Sequence, residues 1–169
     1  MAARVGIALG SNLGDRIGNL RAARDLIRNL SPEGVHFEQA PIYRSEPVNC
    51  PEDSPDFFNT VIELDYIGEP AELLEDTQGI ELHLGRQPGS PPNAPRIIDI
   101  DILYYDGCVI DAGVLVIPHP RMVDRRFVLQ PLADIRPLLT LPGDTITISE
   151  HLQHLDAGET EPVLVQAKW

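Results

Sequence analysis

The run Ile98-Asp99-Ile100-Asp101-Ile102-Leu103-Tyr104-Tyr105 leaves a chain like this few choices. Apolar, β-branched and aromatic residues alternate with acids, so the segment reads as a strand rather than a helix. With a side-chain period of two, Asp99 and Asp101 point to one face, while Ile98, Ile100, Ile102 and Tyr104 point to the other. Such a strand must lay its apolar face on a second layer and leave two carboxylates, about 7 Å apart at Cα, side by side. The pair repels itself unless it is solvated, ion-paired or metal-bound. Oxygen-only ligation by two carboxylates, with water and phosphate completing the shell, suits Mg²⁺. An edge strand with a wet polar face is the plainer alternative, and the string alone leaves both open.

The flanking segments say what the second layer is. Val5-Gly6-Ile7-Ala8-Leu9 is a buried strand closed by Gly10-Ser11-Asn12. Asp15 caps a helix to about Leu30, with Ile17, Leu20, Ala23, Ile27 and Leu30 on its apolar side. Arg21, Arg24 and Arg28 share another side, where surface ion pairs are expected. A second strand spans Val35 to Tyr43 and a third Asn59 to Tyr66. Between them Glu46 to Asp56, with Pro47, Pro51 and Pro55, is a loop long enough to be a functional flap. Pro70 opens a second helix with Leu73, Thr77, Ile80 and Leu84 as its stripe and Gly85 as its stop. Gln87 to Pro95 holds four prolines and is a second long loop, and Asp106-Gly107 predicts a hairpin turn into Cys108-Val109-Ile110.

The order β-α-β-β-α-β predicts an α+β, ferredoxin-like antiparallel sheet with both helices on one face. A C-terminal hairpin/helix extension follows, in which Pro131 starts or breaks a short helix before a polar tail to Trp169. No repeat or linker divides the 169 residues, so one domain, 1–169, is expected.

Charge narrows the chemistry. Thirteen basic against 26 acidic side chains give −13, so nucleic-acid backbones and anionic membranes are expected to be repelled. An anionic substrate then needs local cations. Twelve of the thirteen basic residues are Arg, and Arg86, Arg96, Arg121, Arg125 and Arg126 gather around the acidic strand and Pro118-His119-Pro120. Guanidinium forks suit phosphate oxygens, and arginines beside paired Asp and a Pro/Gly loop are what phosphoryl transfer needs. No GxxxxGK[ST] loop is present, so P-loop chemistry is excluded. Cys50 and Cys108 are expected to be small buried hydrophobes in a reducing compartment. His151-x-x-His154 lacks a third ligand nearby and reads as exposed helical histidines. Without a signal-peptide pattern or an 18-residue apolar run, a soluble cytoplasmic protein is expected.

These motifs, in order, resemble the 6-hydroxymethyl-7,8-dihydropterin pyrophosphokinase family. The resemblance runs from Val5-Gly6-Ile7-Ala8-Leu9-Gly10-Ser11-Asn12-Leu13-Gly14-Asp15 through Tyr43-Arg44-Ser45, Pro55-Asp56-Phe57-Phe58-Asn59 and Gln78-Gly79-Ile80-Glu81 to Gly85-Arg86. It continues in Pro95-Arg96-Ile97-Ile98-Asp99-Ile100-Asp101-Ile102-Leu103 and Pro118-His119-Pro120-Arg121-Met122 with Arg125-Arg126-Phe127. The resemblance implies an ATP-dependent diphosphotransferase of folate biosynthesis. It would move pyrophosphate from ATP to the hydroxymethyl group of 6-hydroxymethyl-7,8-dihydropterin and release AMP. It implies two Mg²⁺ held by Asp99 and Asp101, and Arg86 and Arg96 as catalytic cations on the phosphates. Gln78, Glu81, Arg86, Arg96, Ile102, His119 and Arg125 fall at ATP-site positions. Ser45, Val48, Phe57, Asn59 and Phe127 fall in the pterin pocket, with Phe57 and Phe127 as the ring sandwich. A monomer whose partners are its two small substrates is expected.

The chain departs from the family pattern at Pro88 and Asn93, where an Arg and an aromatic are usual, at Ala94 for Gly, and at Glu46 for Pro. Two other classes fit parts of the reading. One is a different two-metal phosphoryl or nucleotidyl transferase on a similar sheet, and the other is a non-catalytic ligand-sensing domain.

Overall fold

The computed structural model describes residues 1–155, 158 and 160–169. Along the chain run β1 (Ala3–Ser11), α1 (Arg16–Arg28), β2 (Phe37–Gln39), β3 (Ile42–Ser45), β4 (Phe57–Tyr66), α2 (Pro70–His83) and β5 (Asp99–Tyr105). After them come β6 (Ile110–Asp111), β7 (Val116–Ile117), a 3-10 turn at Met122–Asp124, α3 (Arg126–Ile135), α4 (Ile148–His154) and β8 (Val163–Gln166). The main sheet has the order β5-β1-β4-β3-β8, with β2 also on β4, and its pairings are antiparallel. Up to β5 this is the expected α+β, ferredoxin-like arrangement.

The residues of β1 explain its central place. Val5, Ile7 and Leu9 face α1 and α2, packed with Leu20, Ala23, Ile27, Leu73, Ile62, Leu64, Ile100 and Ile102. Each of the Val, Ile and Leu side chains contributes about 2 kcal/mol on burial. The helices begin where local chemistry satisfies their free N–H groups. The Asp15 carboxylate accepts from Gly18 N at 3.0 Å, and Glu69 and Glu72 form a reciprocal capping box before Pro70. Gly85, at φ +106°, turns the chain out of α2 toward the second loop.

The other face of β1 carries Gly6, Ala8 and Gly10, and α3 and α4 cover half of it. Val128, Leu129 and Leu132 of α3 and Ile148 of α4 pack there with Met122, Val61, Leu103 and Tyr104. A Cβ on Gly6 would lie 2.2 Å from the Tyr104 ring, so this glycine is what lets the tyrosine cross β1. The Tyr104 hydroxyl donates to Glu63, which is fully buried and also meets Arg136 just after α3, Arg4 at 3.5 Å and His36 at 2.9 Å. A buried carboxylate survives only with such partners.

Several expectations need correction. The pairing of β1 with β5 slips between Gly6 and Ile7, leaving Leu103 as an extra residue. Tyr104 therefore lies on the Asp face with Leu103, and Tyr105 takes its place among the isoleucines. The strand expected over Val35–Tyr43 is two strands, β2 and β3, parted around Ala40-Pro41, because proline has no N–H for the ladder. Asp106-Gly107 does turn the chain, with Cys108 N bonded to Tyr105 O at 3.0 Å, but Ile110 then pairs with Ile117 of β7 rather than with β5.

Pro131 sits inside α3 and neither starts nor breaks it. Cys50 and Cys108 are half-buried rather than core residues. Of the α1 arginines, Arg24 does pair with Asp25, but Arg24 and Arg28 also stack on Trp169 and Phe37 at 5.0 and 4.2 Å. The polar tail is partly structural. β8 extends the sheet beyond β3, and Trp169 donates its indole N–H to Ala40 O at 2.7 Å.

Candidate active site

Toward Gly10 this face of the sheet opens to solvent at Asp101 and, partly, at Asp99. Gly10 pairs with Asn59 on one side and with Asp99 on the other, which sets the width of the site at three strands. A Cβ there would come within 3.1 Å of Asn59 Oδ1 and 3.6 Å of the Phe57 ring. Asn59 is 5% exposed, and its amide nitrogen donates to Ser45 Oγ at 2.6 Å. Phe57 begins β4 beside it. The sequence reading put Gly10 in the turn that closes the first strand, whereas β1 runs on to Ser11 and keeps Gly10 paired on both sides.

On the β5 side the expected arginine–carboxylate cluster forms. Arg96 Nη1 donates to Asp99 Oδ1 at 2.7 Å, and Arg86 Nη1 stands 3.4 Å from the same oxygen. Arg86 also pairs with Glu81, whose carboxylate accepts from Ile100 N at 3.0 Å. Burial pushes the Glu81 carboxyl up, against the lowering effect of that backbone N–H and of Arg86. Burial works against the Arg96 charge, but its bond to Asp99 and the nearby Glu81 and Asp101 outweigh it and hold the guanidinium above its ordinary value.

Asp101 is open to solvent, yet protein crowds the other sides of its carboxyl. That crowding and the Asp99 charge push its carboxyl up, while His119, Arg125 and Arg86 pull it down. Burial lowers His119, helped by Arg125 and Arg121, and Arg125 is itself lowered by burial and by Arg121. His119 is fixed by its own N–H to Leu103 O at 2.8 Å, and its Nδ1 accepts from Arg121 N at 3.2 Å.

Gln78, Glu81, Arg86, Pro88, Ser90 and Arg96 line a cleft of about 290 Å³ between α2 and the second loop. The other expected positions are less uniform. Phe127 is the second residue of α3, half-buried, with the Arg125 guanidinium 5.5 Å from its ring centre. Val48 is 65% exposed on the first loop. Ile102 is buried in the helix-side core, so its side chain is not brought to the cleft.

One further residue escaped sequence reasoning. Asn12, 1% exposed, bonds to the backbone of both long loops (Arg96 N to Asn12 Oδ1 at 2.7 Å, Asn12 N to Arg96 O at 3.1 Å, Asn12 Nδ2 to Pro55 O at 3.4 Å).

The acidic pair fits a divalent cation. Asp101 is exposed beside a like charge, and both acids offer hard oxygen donors. The contrast is His36, Glu38 and Glu63, the one His/acid triple close enough to share an ion among the described residues. There Glu63 already receives Arg4, Arg136 and Tyr104, which leaves no charge for a metal.

A ferredoxin-like sheet with paired strand carboxylates and arginines at one open end defines a class, proteins built to handle phosphates beside a second ligand. The particular family follows from comparison. Residues 6–137 match the family model of 7,8-dihydro-6-hydroxymethylpterin-pyrophosphokinase, and the chain belongs to that family.

The 2-amino-4-hydroxy-6-hydroxymethyldihydropteridine pyrophosphokinase of Pseudomonas aeruginosa is 42% identical over 142 residues, 84% of this chain and 86% of that protein. The Bacillus subtilis protein of the same name is 43% identical over 129 residues, 76% and 75% of the two chains. Folic acid synthesis protein fol1 of Pneumocystis carinii is 37% identical over 159 residues, 94% of this chain, and the match spans 21% of that longer protein. The fold is shared with wild-type Plasmodium falciparum HPPK-DHPS crystallised with SDX-DHP, at a TM-score of 0.68 and 14% identity over 90% of this chain and 44% of that one.

Proposed function

We propose that this chain transfers the β,γ-diphosphoryl group of ATP to the hydroxymethyl oxygen of 6-hydroxymethyl-7,8-dihydropterin. The hydroxymethyl oxygen forms a bond to the β-phosphorus, and the bond from that phosphorus to the α,β-bridging oxygen breaks. AMP leaves with the electron pair, and the hydroxyl proton passes to water. The observation that carries the reading is Asp99 and Asp101 on one strand face with Arg86 and Arg96 against them, in a chain of this family.

Asp99 and Asp101 would hold two Mg²⁺ ions, which when bound neutralise phosphate charge and align the triphosphate. Arg86 and Arg96 exchange their contacts with Asp99 for phosphate oxygens and meet the charge that develops on the transferring group. Gln78, Glu81, His119 and Arg125 line the nucleotide side, and Ile102 contributes through its backbone alone, since its side chain is buried. On the pterin side Asn59, oriented by Ser45, reads the ring edge, Phe57 and Phe127 bracket its faces, and Val48 closes from the first loop. A flat heterocycle needs those two kinds of contact, and 5% aromatic content supplies few other candidates.

Residues 1–169 are read as one domain, working as a monomer in the cytoplasm with no nucleic-acid or membrane partner. Among the described residues no helix is long and apolar enough to cross a membrane. Titrating pterin fluorescence with and without Mg²⁺ and a non-hydrolysable ATP analogue tests the site. Saturable pterin binding in their presence is expected, and no binding under any condition would contradict the reading.

A further inference from the structure

Of the two long proline-rich loops, the second lines the cleft and the first leads into Phe57, and neither carries secondary structure of its own to fix it. One residue is hydrogen-bonded to both. Asn12 follows β1 directly, and its main chain and side chain close a two-bond ring with the backbone of Arg96, at the end of the second loop. Its Nδ2 donates the other way, to Pro55 O at the end of the first loop. The amide is almost wholly buried, so leaving those loop groups unpaired would be costly. The turn that presents Asn12 is itself held, because Asn19 of α1 donates to Ser11 Oγ at 3.2 Å and to Leu13 O at 2.9 Å. A second tie, from Arg16 Nη1 to Asp56 O at 2.8 Å, reaches the first loop only. Among the described residues, Asn12 is the one hydrogen-bonded to both.

We propose that Asn12 is a positioning residue that couples the two loops, so that the backbone of Arg96 on the phosphate side and the approach to Phe57 on the ring side are set together. It touches neither proposed substrate. Asn12 holds Arg96 by its backbone, which fixes where the guanidinium starts, and holds Pro55 two residues before Phe57. The inference rests on the proposed reaction for its kinetic consequence but not for its structural one.

The test uses the full chain with Asn12→Ala, Asn12→Asp and, as a control of similar instability far from the cleft, Glu63→Gln. Hydrogen exchange comes first, since it needs no activity. Asn12→Ala is expected to raise amide exchange in both 46–56 and 87–96 at least ten-fold, while Glu63→Gln leaves both as in the wild type. Asn12→Asp keeps the acceptor for Arg96 N but loses the donor to Pro55, so it is expected to loosen 46–56 alone. In steady-state kinetics Asn12→Ala should lower kcat and raise the pterin KM about ten-fold each, and Asn12→Asp should move mainly the pterin KM.

Loosening of one loop only in Asn12→Ala, or equal loosening in Glu63→Gln, would overturn the coupling. A wild type that releases no AMP would instead overturn the proposed reaction and leave the exchange result standing. Should Asn12→Ala fail to fold, Asn12→Asp carries the decision by its effect on 46–56 against 87–96.

Discussion

The two ends of the trough along β1 start from the same backbone and finish as opposites. At the Gly6 end the space left by a missing Cβ is filled by the Tyr104 ring, and a fully buried acid, Glu63, is surrounded by Tyr104, Arg4, Arg136 and His36. At the Gly10 end the missing Cβ leaves room for the Asn59 amide and the Phe57 ring instead. Two acids sit side by side there, and the arginines that meet Asp99 remain partly exposed. Polar groups with every partner supplied hold a fold together, whereas polar groups whose partners are missing or exchangeable are available to a ligand. The difference is what separates structure from chemistry here, more than the residue types, since both ends use carboxylates and arginines.

The sharpest break of this contrast is at the acids. Asp99→Ala and Asp101→Ala should each cut turnover by about three orders of magnitude or more while the melting temperature stays within a few degrees, because neither side chain belongs to a core cluster. Circular dichroism melting beside an AMP-release assay reads both. Arg96→Ala should follow with about a hundred-fold loss in kcat and a smaller rise in the ATP KM, since its charge acts mainly on the transition state.

The closed end should respond the other way. Glu63→Ala strands Arg136, Tyr104 and His36 around a buried gap and should cost about 3–5 kcal/mol in urea unfolding, with the KM values of the surviving enzyme unchanged. The smallest effect concerns Asp65, whose hydrogen bond from Arg4 holds its carboxyl below the usual value. Its folded pKa is the lower one, so its stabilisation is present above the unfolded pKa and fades as pH falls through the folded one. An Asp65→Asn variant should therefore be less stable than wild type at pH 6, with the gap closing below about pH 4.

Much of this was legible in the sequence because local rules and global need agree along most of it. Asp15, Pro70 and Gly85 mark helix ends by chemistry that does not depend on the rest of the chain. Strict alternation in Ile98–Ile102 fixed which face Asp99 and Asp101 share. Leu103 broke the pattern where a slip in pairing with β1 added one residue, and nothing local marks such a slip. Pro131 was misread because a proline in the interior of a short helix is tolerated only when packing supports it, which the burial of Val128, Leu129 and Leu132 around it does. Asn12 and Glu63 were invisible for a common reason. Their roles lie in partners 84 and 73 residues away, Arg96 and Arg136, and sequence spacing carries no information about such contacts.

The central claim is that the open end carries diphosphoryl transfer, and the product of ATP turnover tests it most directly. Purified chain is incubated with ATP, Mg²⁺ and 6-hydroxymethyl-7,8-dihydropterin, and nucleotides and pterins are separated by chromatography. The account expects one AMP for each pterin diphosphate, formation of neither when Mg²⁺ or the pterin is left out, and loss of both in Asp101→Ala. Release of ADP instead of AMP, or AMP formed equally without the pterin, would contradict it.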